Sequence, residues 1–136
     1  MNFSDMNYLA ILVATVAGWS VGALWYSGVL FGKRWQKELG FSDEYLKQAN
    51  MALTFGGSLI MMFIMNYGVA AIINSLPEPN LESGLKTGLY AGIMIAGAGM
   101  AVNYLYQQKS LMLWLIDGIY QIILLTVGGA IIGAWR

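Results

Sequence analysis

Residues 22 to 35 read GALWYSGVLFGKRW: small residues, a Trp-Tyr pair, a glycine, and then Lys33 and Arg34, the first cations of the chain. A charged turn of this kind can close a soluble helix, but the residues upstream decide otherwise. From Met6 to Gly32 there is no Asp, Glu, Lys or Arg. About 20 apolar helical residues cross the roughly 30 Å hydrocarbon core of a bilayer, so this run is long enough. Trp25 and Tyr26 then approach the membrane interface, and Lys33 with Arg34 anchor the exit.

The pattern recurs along the chain. Gln48 to Pro77 and Thr87 to Gln108 are also free of charge, and Ser110 to Trp135 is interrupted only by Asp117. The chain is 58% hydrophobic and 10% charged, against roughly 45–50% and about 25% in soluble domains, an imbalance that calls for a nonaqueous solvent. The expected fold is all-α, an integral membrane four-helix bundle forming one domain over residues 1–136. Its spans lie near residues 8–31, 52–76, 85–106 and 111–135.

Breakers and caps set the connections. Pro77 and Pro79 end the second span, because neither can continue a helix. Gln107 to Ser110 leaves room only for a tight helical hairpin, with Ser110 as N-cap of the last span. The loop 32–51 is longer. Ser42 ahead of Asp43 and Glu44 suits a helix start, and Trp35 with Leu39, four residues apart, suits a short segment at the headgroups.

Counting cations beside the spans gives an orientation. Lys33, Arg34, Lys37, Lys47 and Lys109 fall on one side, Lys86 and Arg136 on the other. Five against two places the first and third loops in the cytoplasm and both termini on the extracytoplasmic side. The opening MNFSDMNYL carries Asp5 and no Lys or Arg, unlike a signal peptide, so the first span is expected to be retained.

Several function classes are excluded or disfavoured. Seven Lys plus Arg balance seven Asp plus Glu, leaving no field to attract nucleic acid. With no His and no Cys, the usual zinc and haem ligands are missing, so neither a metal nor a cofactor is expected. No Ser has an evident base beside it, so an enzyme is not expected either.

Helices in lipid associate through close backbone approach and polar contacts. Gly18 and Gly22 on the first span, Gly84, Gly88 and Gly92 on the third, and Gly129 and Gly133 on the fourth recur at four-residue spacing. Ala14 extends the first ladder and Ala96 the third. Such ladders either pack helices within one chain or form a seam between copies in a homo-oligomer.

Asp117 is the residue that most needs explaining. An Asp at mid-span costs about 2.5–3.5 kcal/mol on insertion scales and usually faces the protein interior. It lies roughly 9 Å inside the predicted cytoplasmic end of its helix. The same depth reaches Tyr26 on the first span, Ser58 on the second and Asn103 on the third, while Tyr120 and Gln121 share its helix face. Lost hydration disfavours the charged form of a carboxyl, so Asp117 is expected to be neutral for part of its working life. Three readings follow: a helix fastening, a site for a proton or cation, or part of a small-solute pocket.

Three stretches carry a family resemblance: NYLAILVA from Asn7, GALWYSGVLFGKRW from Gly22 to Trp35, and DGIYQIILLTVGGAIIGAW from Asp117 to Trp135. Together they resemble the DUF1761 family of small bacterial membrane proteins, over nearly the whole chain. Where many members carry Pro this chain has Gly28, so no proline kink is carried over. The resemblance implies a four-span bacterial membrane protein and supplies no activity or site residue. The leading expectation is therefore a multi-pass inner-membrane protein in the lipid bilayer, acting as a small transporter or channel for an ion or solute through the Asp117 layer. The alternative is a non-transporting scaffold that binds another membrane protein through its Gly-rich helix faces.

Overall fold

The computed structural model describes residues 1–135, and among them every regular element is helical. Arg136, counted in the charge balance above, lies outside the described residues. The helices are α1 (Tyr8–Trp25), α2 (Gly32–Leu39), α3 (Asp43–Lys47), α4 (Met51–Ile73), α5 (Leu81–Ala91), α6 (Ala98–Tyr106) and α7 (Leu111–Ala134). A π-helical segment, Gly92–Gly97, joins α5 to α6. These three pieces make one span, and with α1, α4 and α7 they give four helices long and apolar enough to cross a membrane.

Each span begins on a side-chain cap. The carbonyl oxygens of Asn7 and Asn50 accept from the backbone N–H of Ala10 and Leu53. Asn80 and Ser83 cap α5 reciprocally, and Ser110 Oγ accepts from Leu113 N–H. Backbone donors at a helix start have no partner within the helix, and Asn and Ser supply one locally. Asn80 explains why the third span begins at Leu81, ahead of its charge-free run.

The first span is shorter than its charge-free run. It ends at Trp25 instead of Phe31, and residues 26–31 turn tightly before α2. Phe31 N–H returns to the Trp25 carbonyl at 3.0 Å, and Gly32 lies so close to the Tyr26 carbonyl that a Cβ there would collide with it. α2 ends in a left-handed residue, Gly40, with φ of 70°, a conformation that costs glycine least.

α7 is the axis of the bundle. Leu113, Ile116, Leu124, Leu125 and Ile132 are buried along it, with α1, α4 and the third span packed around it. Leu9, Leu12, Val16, Ile60, Ile64, Met94 and Ile95 point outward and are exposed. Exposed apolar surface on this scale marks a protein whose solvent is not water.

Up-and-down connections bring both termini to one end. Asn7 Nδ2 donates to the Trp135 carbonyl at 3.0 Å, and Asn2 N–H donates to Ala71 at the end of α4 at 2.8 Å. At the opposite end α2 docks on the start of α7. There Glu38 accepts from Ser110 Oγ at 2.6 Å and from Arg34 Nε at 2.7 Å. These hydrogen bonds hold the Glu38 carboxyl below its ordinary range, the Ser110 hydroxyl contributing most and Arg34 next.

The glycine ladder of the third span faces α7 of the same chain. A Cβ on Gly84 would strike the Gly129 carbonyl, and one on Gly88 would strike the Leu125 carbonyl. Gly92 sits over Ile122, and Gly133 lies against Asn80 and Gly84. On α1, Gly18 makes room for Leu124 and Gly22 for the ring of Tyr120. All seven glycines therefore receive atoms of this chain, which is the close approach that binds helices in lipid.

Candidate functional site

Asp117 is buried, with 6% of its surface exposed. Tyr26 Oη donates to its Oδ1 and Tyr104 Oη to its Oδ2, each at 2.6 Å. Two hydroxyls, one from the residue that caps the end of α1 and one from α6, thus replace the water that the carboxyl gives up. Among the described residues Asp117 has no ion-pair partner.

Local structure delivers these groups. Because α1 stops at Trp25, consecutive side chains reach consecutive residues of α7: Trp25 Nε1 donates to the Ile116 carbonyl at 3.0 Å, and Tyr26 donates to Asp117. Tyr120 does not bond Asp117. Its hydroxyl crosses to the Gly18 carbonyl at 2.9 Å, in the space that Gly22 leaves open, and its ring meets that of Tyr26 edge-on at 5.3 Å.

On the third span the sequence reading falls one residue short. Asn103 is exposed and stands outside the site, while its neighbour Tyr104 occupies the place expected for it. A regular helix carries the face of Gly84, Gly88 and Gly92 on to Ala96 and then, seven residues later, to Asn103. The wider turn at Gly92–Gly97 inserts one residue, so the buried position is Gly97 and the position seven later is Tyr104. A π turn leaves no recognisable mark in composition.

Ser58 and Gln121 lie on the walls of a groove and make no bond to Asp117. Ser58 Oγ donates to its own helix at the Phe55 carbonyl, 2.9 Å away. The Oε1 of Gln121 is buried and has no hydrogen-bond partner. The groove, about 1060 Å³, runs between α1 and the first half of α4, floored by Asp117, Tyr120 and Gln121 of α7 and closed at one end by residues of α2 and α3. Its walls include Trp19, Trp35, Phe41, Tyr45 and Phe55, and no Lys or Arg lines it.

The groove exists because α1 and α4 pack closely at the termini end, while toward the other end Trp19 and Phe55 meet edge-on at 5.8 Å across it. At the termini end Ile11, Ala14, Val69 and Ala70 are buried together, and Asn66 Nδ2 of α4 donates across to Thr15 Oγ1 of α1 at 3.5 Å. No residue of 51–58 in α4 is fully buried. Among the described residues no three Asp, Glu, His or Cys side chains gather, so a cation at Asp117 would find one carboxylate and neutral oxygens.

A family model described as a protein of unknown function, DUF1761, matches residues 9–133. No curated protein and no solved structure matches the chain.

Proposed function

The chain belongs to the DUF1761 family, whose description assigns no activity, and we propose from the geometry that it is a small transporter or channel whose working group is Asp117. The observation that carries this reading is a buried carboxylate without a counter-cation on the wall of a large groove. A helix fastening needs the two tyrosine bonds but no groove beside them. Intramembrane acids that face a cavity mark ion and solute paths.

In this reading the bundle sits in a bacterial inner membrane, with the Glu38–Ser110 end in the cytoplasm and both termini outside, following the cation count. The groove then lies in the cytoplasmic half of the bilayer, closed at its cytoplasmic end by residues of α2 and α3. Tyr26 and Tyr104 hold the carboxylate in place, and Gln121 offers a neutral oxygen one helical turn away. The scaffold alternative draws less support, because its seven ladder glycines already contact this chain.

Flux in liposomes is the test. Native protein and Asp117→Asn are reconstituted at equal density, and the movement of protons and monovalent cations is followed with trapped indicator dyes. Native flux above empty liposomes and loss of that excess in the variant are expected. Equal flux from the two proteins removes Asp117 from any coupling role.

A further inference from the structure

We infer that the groove beside Asp117 is a binding site for a lipophilic ammonium ion, an amine that carries N–H donors on an apolar body. This rests on the reading of Asp117 as a functional group and names the class of solute it serves.

Three features of the groove select this chemistry. Asp117 supplies an acid and no Lys or Arg lines the groove, so a cationic group there meets a partner of opposite sign and no competing cation. Gln121 Oε1 is a buried acceptor with no donor, which costs free energy until an N–H reaches it. The aromatic walls, Trp19, Trp35 and Phe55 among them, offer area to an apolar body and ring faces to a cation.

Other occupants fit less well. A lipid acyl chain covers the walls but leaves Asp117 and Gln121 unanswered. An anion meets Asp117 with like charge. A bare metal ion finds a single carboxylate and has no use for a groove of about 1060 Å³. A quaternary ammonium answers the charge but has no N–H for Gln121.

Chain length and position add a constraint on the ammonium. Asp117 and Gln121 are four residues apart on one face of α7, about 6 Å along the helix. An ammonium beside Asp117 donates also to Gln121 Oε1, a covered atom, once the Gln121 side chain turns toward it, and its apolar body then lies along α1 and α4.

The test uses 1-adamantylammonium as probe and 1-adamantanol as its neutral analogue of the same shape, titrated at pH 7 into the full chain in phosphatidylcholine nanodiscs. Fluorescence of Trp19 and Trp35, which line the groove, reports binding, with empty nanodiscs subtracted for partition into lipid. The ammonium is expected to bind at least about tenfold more tightly than the alcohol, the ratio expected of a charge-assisted hydrogen bond. Asp117→Asn reduces that ratio to near one, and Gln121→Met lowers it about threefold or more. Glu82→Gln, at the far end of the bundle, leaves it unchanged. Equal binding of ammonium and alcohol to the native chain overturns the inference, as does binding of neither, and this comparison requires no variant to fold. Selective binding without flux in liposomes would leave the site standing and remove the transport reading; flux without selective binding would do the reverse.

Discussion

Trp114 on α7 donates its indole N–H to the carbonyl of Gly97 at 3.0 Å, bonding the last residue of the π-helical segment. The bond supplies a donor where the backbone ladder changes pitch. Trp114→Phe keeps the ring and deletes the donor. It is expected to cost about 0.6–1.7 kcal/mol, the range of interhelical hydrogen bonds in membranes, read as the shift of the unfolding curve in mixed micelles. An unshifted curve would show that the π turn holds itself.

Tyr104 and Asn103 should separate cleanly. Tyr104→Phe removes a donor to Asp117 and is expected to cost about 0.6–1.7 kcal/mol, whereas Asn103→Ala, at an exposed position, should be near neutral. Deleting Ile95 takes out the inserted residue, so a regular α-helix then carries Tyr104 to the same place facing Asp117. In that background Tyr104→Phe should keep its cost to the unfolding midpoint. Loss of that sensitivity would refute the one-residue shift.

Close backbone contact between the third span and α7 makes a graded prediction. Gly88→Ala places a methyl against the Leu125 carbonyl, and overpacking of this kind costs about 1–3 kcal/mol. Gly99→Ala meets nothing within 4 Å and should be neutral or stabilising by up to about 1 kcal/mol through helix propensity. Thermal inactivation of the two variants in one detergent compares them directly, and equal midpoints would contradict the packing.

The hairpin before α7 contains a stabilising opportunity. Gln108 has φ of 54° and follows the last turn of α6, with Lys109 N–H bonding the Tyr104 carbonyl at 2.9 Å. This is the place where helices prefer glycine. Gln108→Gly should raise stability by about 1 kcal/mol, since a left-handed residue with a side chain is strained by that order. A lowered midpoint would mean that the Gln108 side chain contributes more than its backbone costs.

Docking of α2 on α7 should depend on pH through Glu38. Its folded-state value lies below the ordinary 4.5 because Ser110 and Arg34 bond the charged form. A depressed carboxyl contributes stability above its unfolded value and loses it as the pH falls through the folded one. Trp35, which packs on Tyr26 from α2, should therefore report undocking by fluorescence only below pH 4.5, and Glu38→Gln should abolish that transition. The same transition in the variant would assign it to another group.

Much of the architecture was legible because lipid imposes it. Charge-free runs, Pro77 and Pro79, and Ser42 and Ser110 as caps located the spans and their connections to within a few residues. The end of the first span was not legible: residues 26–31 are as apolar as a helix in lipid, and only the bonds of Trp25 and Tyr26 to α7 show why the chain turns there. Within the site, depth along each helix brought Tyr26 and Asp117 to the same layer, but depth says nothing about rotation. Tyr120 turned to Gly18, Ser58 turned to its own helix, and Asn103 gave way to Tyr104.

The amino-acid sequence by itself determined that this chain has four helices long and apolar enough to cross a membrane and one acid deep in the last of them, because hydrophobic length and charge are local properties that a bilayer reads residue by residue. Only the tertiary structure decided which hydroxyls reach that acid, and that a groove without cations lies beside it. Those depend on helix phase, and a single extra residue in one turn rotates a face by roughly 100° while leaving composition and hydropathy unchanged.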